Sequence, residues 1–285
     1  MLNRLRHTSA DAEGWSERVL RGLALLCVIG FALGPVVWQV ITSFKTDAAL
    51  IRLPPIWPEP WTVENYRAVV GEPTLLMVMW NTVIVAVCST LCALILGACA
   101  AFSLSVLRIR GAQWILAGVL AVSMFPPIAT VSPLYLVVRF LGLRDSRLAL
   151  ILLDSTFALP LGIWVMASFF RNIPPEIYAA ARVDGCSVTG AFLRVVLPLS
   201  APGLFATAIL VFIFAWNEFL LALTMTVTTA SRTVPVAIAM FPGLHEIPWG
   251  EIAAASIVAT TPIALLVFFF QRRIVEGLTV GSVKG

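Results

Sequence analysis

Apolar runs free of Lys and Arg recur along the chain at about 22–43, 74–107, 113–138, 148–170, 203–225 and 252–271, each long enough to span a bilayer. Six transmembrane helices are predicted, which makes the fold class all-α and polytopic and leaves no room for a water-soluble domain. The first run follows Arg4, Arg6, Arg18 and Arg21, as the core of a secretory signal would. It is too long for one and no small-residue cleavage site follows, so it reads as a retained anchor. The 34-residue run Thr74–Leu107 exceeds the bilayer and predicts a helix that projects beyond it on one side. Pro126 and Pro127 interrupt the third run, which predicts a kinked helix packed inside the bundle, where neighbours replace the lost backbone hydrogen bonds. The apolar piece 233–244 is too short to span and reads as a re-entrant or interfacial segment on the outer face. The loop after the first run, with Pro54, Pro55, Pro58, Pro60, Trp57 and Trp61, reads as a stiff stretch at the membrane surface. The chain divides into a tail (1–21), a first helix with its loop (22–73), a membrane core (74–271) that contains a polar loop at 171–202, and a C-terminal tail (272–285).

Composition agrees with the pattern: 60% of the 285 residues are apolar, 12% are charged and the mean hydropathy is +0.96. Orientation follows from the basic residues. If the N-terminus is cytoplasmic, twelve of the nineteen Lys and Arg fall on the cytoplasmic side, so both termini are placed there. The net charge of +4 reflects this topology, since the charges flank spans instead of clustering on one face, and nucleic-acid binding is not expected. Cys27, Cys88, Cys92, Cys99 and Cys186 lie in apolar stretches or alone, and His7 and His245 have no partners nearby in sequence, so no metal site or disulfide framework is predicted. Cys88, Cys92 and Cys99 share a helix face and read as small packing residues. The only lysines, Lys45 and Lys284, belong to no phosphate-binding loop, so any ATP must be bound by another subunit.

The loop 171–202 is the most informative stretch. Pro174 and Pro175 suit a helix start, Glu176 favours the first turn, and Gly185 supplies a left-handed terminator. Ser187 then caps a second helix that Pro198 stops. The alanines at 179, 180 and 181 leave room for close approach by another protein, and the first helix reads as a docking element.

The run Pro-Pro-Glu-Ile-Tyr-Ala-Ala-Ala-Arg-Val-Asp-Gly at 174–185, with Phe192 and Leu197-Pro198-Leu199 after it, resembles the EAA loop of binding-protein-dependent ABC importer permeases. Glu64-Asn65-Tyr66, Phe214-Ala215-Trp216-Asn217-Glu218 and the C-terminal Gln271–Thr279 and Val283-Lys284-Gly285 stretches extend the resemblance over nearly the whole chain. They point to the sugar permeases of the maltose-transporter type, the subunit without a large extracytoplasmic insertion. The resemblance implies the type I ABC importer permease fold in the bacterial inner membrane and a chain that is not itself an enzyme. It implies as partners a second, paralogous permease, two ATPase subunits that bind ATP and Mg, an extracytoplasmic solute-binding protein and a sugar. It also implies that Glu176, Ala180, Ala181, Asp184 and Gly185 couple to the ATPase and that Lys284 reaches the ATPase dimer. The motif's glutamate is replaced by Ala179, and Glu176, one turn earlier on the same face, stands in for it.

Ionisable and amide groups inside spans are functional candidates because burying them is costly. Asn81, Asp154, Asn217 and Glu218 all fall toward the outer half, where they would line a cavity and hydrogen-bond sugar hydroxyls, or else bridge helices. No Arg or Lys falls at mid-depth, which disfavours a phosphorylated substrate. Met124-Phe125-Pro126 in the kinked span is a candidate gate. Two other readings stay open: an ion-coupled carrier with Asp154 and Glu218 as a proton relay, and a membrane scaffold that transports nothing.

Overall fold

A computed structural model describes residues 15–46, 49–50, 57, 60–241 and 247–279, all of them helical or in turns and loops, with no strand. In chain order the helices are α1 (Trp15–Ser43), α2 (Glu64–Gly71), α3 (Pro73–Ser105), α4 (Ala112–Ser123), α5 (Pro127–Phe140) and α6 (Arg147–Arg171). They continue as α7 (Pro175–Val183), α8 (Val188–Leu199), α9 (Ala201–Trp216), α10 (Leu220–Met225), α11 (Val234–Ala239) and α12 (Trp249–Thr279). Four helices are long and apolar enough to cross a membrane, and the number rises to six if the bent pairs α4/α5 and α8/α9 each count as one span. Lys284, His7, His245 and Pro54, Pro55 and Pro58 lie outside the described residues.

The chain forms two compact units, one of residues 1–69 with 243–257 and one of residues 70–242 with 258–285. In the first, α1 leaves Leu20, Leu26, Val28 and Phe31 exposed, as a helix facing lipid would. The Glu64-Asn65-Tyr66 motif fastens the end of α1. The Asn65 amide donates to the carbonyls of Ser43 and Lys45, 2.9 Å each, and the Tyr66 hydroxyl lies 2.7 Å from Ser43 Oγ. A Cβ on Gly250 would come within 2.5 Å of the Asn65 amide, so only glycine admits this arrangement.

The second unit is built on α3, α6 and α9. Helices inside a bilayer gain no hydrophobic driving force from one another, so close backbone approach and interhelical hydrogen bonds must hold them. The α3–α6 seam supplies both. A Cβ on Gly97 would already touch the Gly162 backbone at 3.4 Å. Ser89 donates to Ile151 O, Ser155 to Ser89 O and Ser105 to Ala167 O, at 3.2–3.4 Å. Such bonds contribute about 0.6 kcal/mol each, so the long seam of small residues carries more of the stability than its hydroxyls do. At 33 residues α3 is roughly 50 Å long, in keeping with the projecting helix predicted for it.

The third span departs from its prediction. It is bent by 91° between α4 and α5, so the proline kink is present, but the helix is not packed inside the unit. Leu116 is the buried residue of α4 and Val138 that of α5, and Met124 and Phe125 at the bend are exposed. Proline dictates a local break in the hydrogen-bond ladder and says nothing about where the two halves then run. Within the described part of the 233–244 segment, α11 is a short six-residue helix whose Val234 N–H donates to Thr82 Oγ1 at 2.9 Å.

Candidate functional site

The polar loop folds as its residues dictate. Pro174 and Pro175 open α7, and Gly185 closes it with φ +86°. The Gly185 N–H donates to Arg182 O at 3.3 Å and the Cys186 N–H to Ala181 O at 3.0 Å, the paired bonds of a Schellman motif. Ser187 caps α8 by accepting from the Gly190 N–H at 3.0 Å. The second helix runs one residue past Pro198. A π-helical turn at Phe192–Val196 leads into the proline, which offers no N–H, and the chain then bends by 79° into α9.

An aromatic base supports α7. Tyr178 stacks edge-on to Phe102 at 5.9 Å, Phe102 lies 4.8 Å from Phe192, and Phe170 meets Phe192 edge-on at 6.4 Å. These rings join α7 and α8 to the ends of α3 and α6 in one buried cluster. Tyr178 and Ala181, three residues apart, form the inward face. Glu176, Ala180, Val183 and Asp184 form the outward face, with Val183 86% exposed. Of the alanines predicted to meet a partner, Ala180 is exposed and Ala181 is turned into the chain's own core at 6% exposure. Small size at position 181 therefore serves the fit of α7 onto its base.

The four intramembrane candidates differ in their partners. Asn81 is buried and its amide donates to Thr229 O and Arg232 O, 3.0 Å each, while Arg147 donates to its carbonyl at 3.5 Å. It is a pin that holds the 226–233 loop to α3. Asn217 is exposed and donates to Ile213 O in its own helix at 2.7 Å. Glu218 caps α10, where its two carboxylate oxygens accept from the N–H groups of Leu221 at 2.7 Å and Ala222 at 2.9 Å. Asp154 is 1% exposed, and its Oδ1 has no hydrogen-bond partner among the described residues. The fold thus commits Asn81 to the 226–233 loop and Asn217 and Glu218 to backbone groups around the end of α9 and the start of α10. Cys92 and Cys99 are exposed on the outside of α3, so they do not pack within this chain.

A residue that sequence reasoning passed over organises the α5–α6 turn. Asp145 sits at φ +57°, rare for a residue with a Cβ. Its carboxylate accepts from the N–H groups of Val227 (2.8 Å) and Thr228 (3.0 Å), from the Thr228 hydroxyl (2.8 Å) and from the Ser231 hydroxyl. Burial works against its charge, but those four bonds outweigh it and hold the carboxyl well below the usual carboxylate range. The available signal was an aspartate next to a helix-capping serine in a glycine-containing turn, a residue type that tolerates the left-handed region. No group of His, Cys, Asp and Glu fit to hold a metal ion occurs among the described residues.

Residues 93–280 match the family described as binding-protein-dependent transport system inner membrane component. The chain is 44% identical over 260 residues to the trehalose transport system permease protein SugB of Mycobacterium tuberculosis, covering 90% of this chain and 94% of that protein. It is 38% identical over 272 residues to the trehalose/maltose transport system permease protein MalG of Thermococcus litoralis, covering 94% of this chain and 98% of that protein. A crystal structure of a bacterial ABC transporter involved in the import of the acidic polysaccharide alginate shares the fold, with a TM-score of 0.78 at 21% identity over 90% of this chain and 97% of that one.

Proposed function

As the chain belongs to the inner membrane components of binding-protein-dependent transport systems, we propose that it is the permease subunit of an ATP-driven importer that forms half of a sugar pathway. A multi-pass inner membrane protein of this family performs no covalent chemistry. Its task is to change access from one side of the membrane to the other, and the free energy for that comes from a partner. The observation that carries the proposal is α7: a short helix, closed at both ends by its own sequence, seated on an aromatic base that ties it to α3, α6 and α8, with a face of small and acidic residues left uncovered.

In this reading α7 lies on the cytoplasmic side with both termini and docks on an ATPase subunit. Two such subunits bind ATP and Mg, and a paralogous permease supplies the other half of the path. Their closure on ATP shifts α7, and the aromatic base passes that shift to α3 and α6, so that outward and inward access alternate. A solute-binding protein on the other side delivers the substrate. The names of two relatives, for trehalose and for trehalose/maltose, support a di- or oligosaccharide as the substrate. Asn217, which is exposed, and Glu218, which is half-buried, are the groups of this set that a sugar hydroxyl can reach. This reading gives Asn81, whose amide donates to two backbone carbonyls, no part in the pathway. With Ala179 at the motif's glutamate position, Glu176 and Asp184 are the acidic groups that α7 presents.

The test is to purify the chain with its native partners, reconstitute it in lipid, and measure ATP hydrolysis with the solute-binding protein and candidate sugars. Hydrolysis stimulated by a disaccharide is the expected result. Uptake driven by an ion gradient with the ATPase absent would replace this reading with that of a proton-coupled carrier.

A further inference from the structure

A cavity of about 580 Å³ opens where α3 and α6 end and where α4 and α7 begin, and nothing in the transport mechanism uses it. Ser105, Arg108, Gln113, Trp114, Arg171 and Tyr178 are among its walls, and no acidic side chain lines it. Its size falls within the roughly 300–1,000 Å³ usual for ligand sites. Neither Arg108 nor Arg171 has an ion-pair or side-chain hydrogen-bond partner among the described residues, so two guanidinium groups border one cavity without a counter-charge. The first turns of α4 and α7 also border it. The electrostatics select an anion with several acceptor oxygens, which is the chemistry of a phosphate.

The cavity sits at the level where two apolar helices stop, and α4 rises from it with an uncovered apolar face. Trp114 is 75% exposed, Ile115 47% and Val122 71%. An occupant that places phosphate in the cavity and hydrocarbon along α4 satisfies both surfaces, whereas a free phosphate satisfies one. We propose that this cavity binds the headgroup of an anionic phospholipid, with Arg108 and Arg171 on the phosphate and the acyl chains along α4. Lipid bound there lies against the α6–α7 turn and braces the base of α7.

The experiment uses the full-length chain purified with its partner subunits in detergent, with lipid binding followed by native mass spectrometry. The probes are phosphatidylglycerol, phosphatidylcholine and inorganic phosphate. Phosphatidylglycerol is expected to bind about tenfold more tightly than phosphatidylcholine, and the double variant R108Q/R171Q to lose about that factor. R108K/R171K should retain most of the binding, and Arg110→Gln, a basic residue outside the cavity, should leave it unchanged. Should R108Q/R171Q fail to assemble, the competition between the two lipids on the unaltered complex and the single variant Arg171→Gln decide the matter. Equal binding of both lipids, or binding unaffected by the arginine substitutions, would overturn the proposal. Displacement of the lipid by millimolar inorganic phosphate would also overturn it, assigning the cavity to a soluble anion.

Discussion

Replacing Asp145 by alanine removes four hydrogen bonds at once from the contact between the α5–α6 turn and the loop 226–233. A hydrogen bond to a charged group contributes about 1.5–3 kcal/mol when well buried. Asp145 is only half-buried, so solvent competes for its carboxylate, and a discounted figure of about 0.5 kcal/mol per bond gives roughly 2 kcal/mol for the set. Alanine also keeps a Cβ at φ +57°, a further cost of about 1 kcal/mol relative to glycine. The loss is local, so the assay is amide hydrogen exchange of Val227 and Thr228, whose N–H groups donate directly to the carboxylate. A change of about 2 kcal/mol corresponds to roughly thirtyfold faster exchange. Protection is expected to be greatest in the unaltered chain and to fall through D145N and D145G to D145A, because asparagine keeps one acceptor and tolerates the left-handed backbone while glycine relieves only the strain. The folded carboxyl lies below its ordinary value, so its stabilisation is complete above about pH 4 and falls away as pH drops below that, whereas D145A shows no such dependence. Full protection in D145A, or in D145G, would refute the reasoning, since either would mean that the four bonds do not hold the loop.

Asn81→Ala leaves the carbonyls of Thr229 and Arg232 without their donor, which costs about 2 kcal/mol and accelerates exchange in the same loop, with the half-saturating sugar concentration for transport unchanged. Gly203→Ala drives a Cβ to 2.3 Å from the Phe169 ring, so α9 must shift; a loss of about 1–3 kcal/mol should appear as a lower unfolding midpoint in detergent, and an unshifted midpoint would show that the ring swings away freely. Gly185 has open space around it within this chain, so substitution there strains the left-handed turn without an internal clash: valine should cost about 2 kcal/mol, alanine about 1 and asparagine less, and ATP hydrolysis measured beside uptake should show fewer sugars moved per ATP in the same order.

The parts of the molecule legible in the sequence are those whose causes lie within a few residues. The lengths of α3 and α6 follow closely from their apolar runs, while α12 continues past its run into the charged stretch after Gln271; the two ends of α7 follow from Pro175, Gly185 and Ser187, because caps and left-handed turns are settled by the residue that occupies them. The span predictions failed where proline was asked to say more than it can: Pro126 and Pro127 foretold the break and not the 91° path that leaves α4 and α5 largely uncovered. The candidate site divides in the same way. Asn81, Asp154, Asn217 and Glu218 stood out because polar groups in apolar runs must find partners, but partner choice is a property of the assembled chain. Asn81 meets carbonyls 148 and 151 residues away and Asp145 meets donors 82 to 86 residues away, while Ala181 turns inward by the phase of one helical turn on its aromatic base. Local backbone chemistry chose the elements; the direction each bend took, and therefore which polar group reached which carbonyl, waited for helices to approach along seams of glycine, alanine and serine.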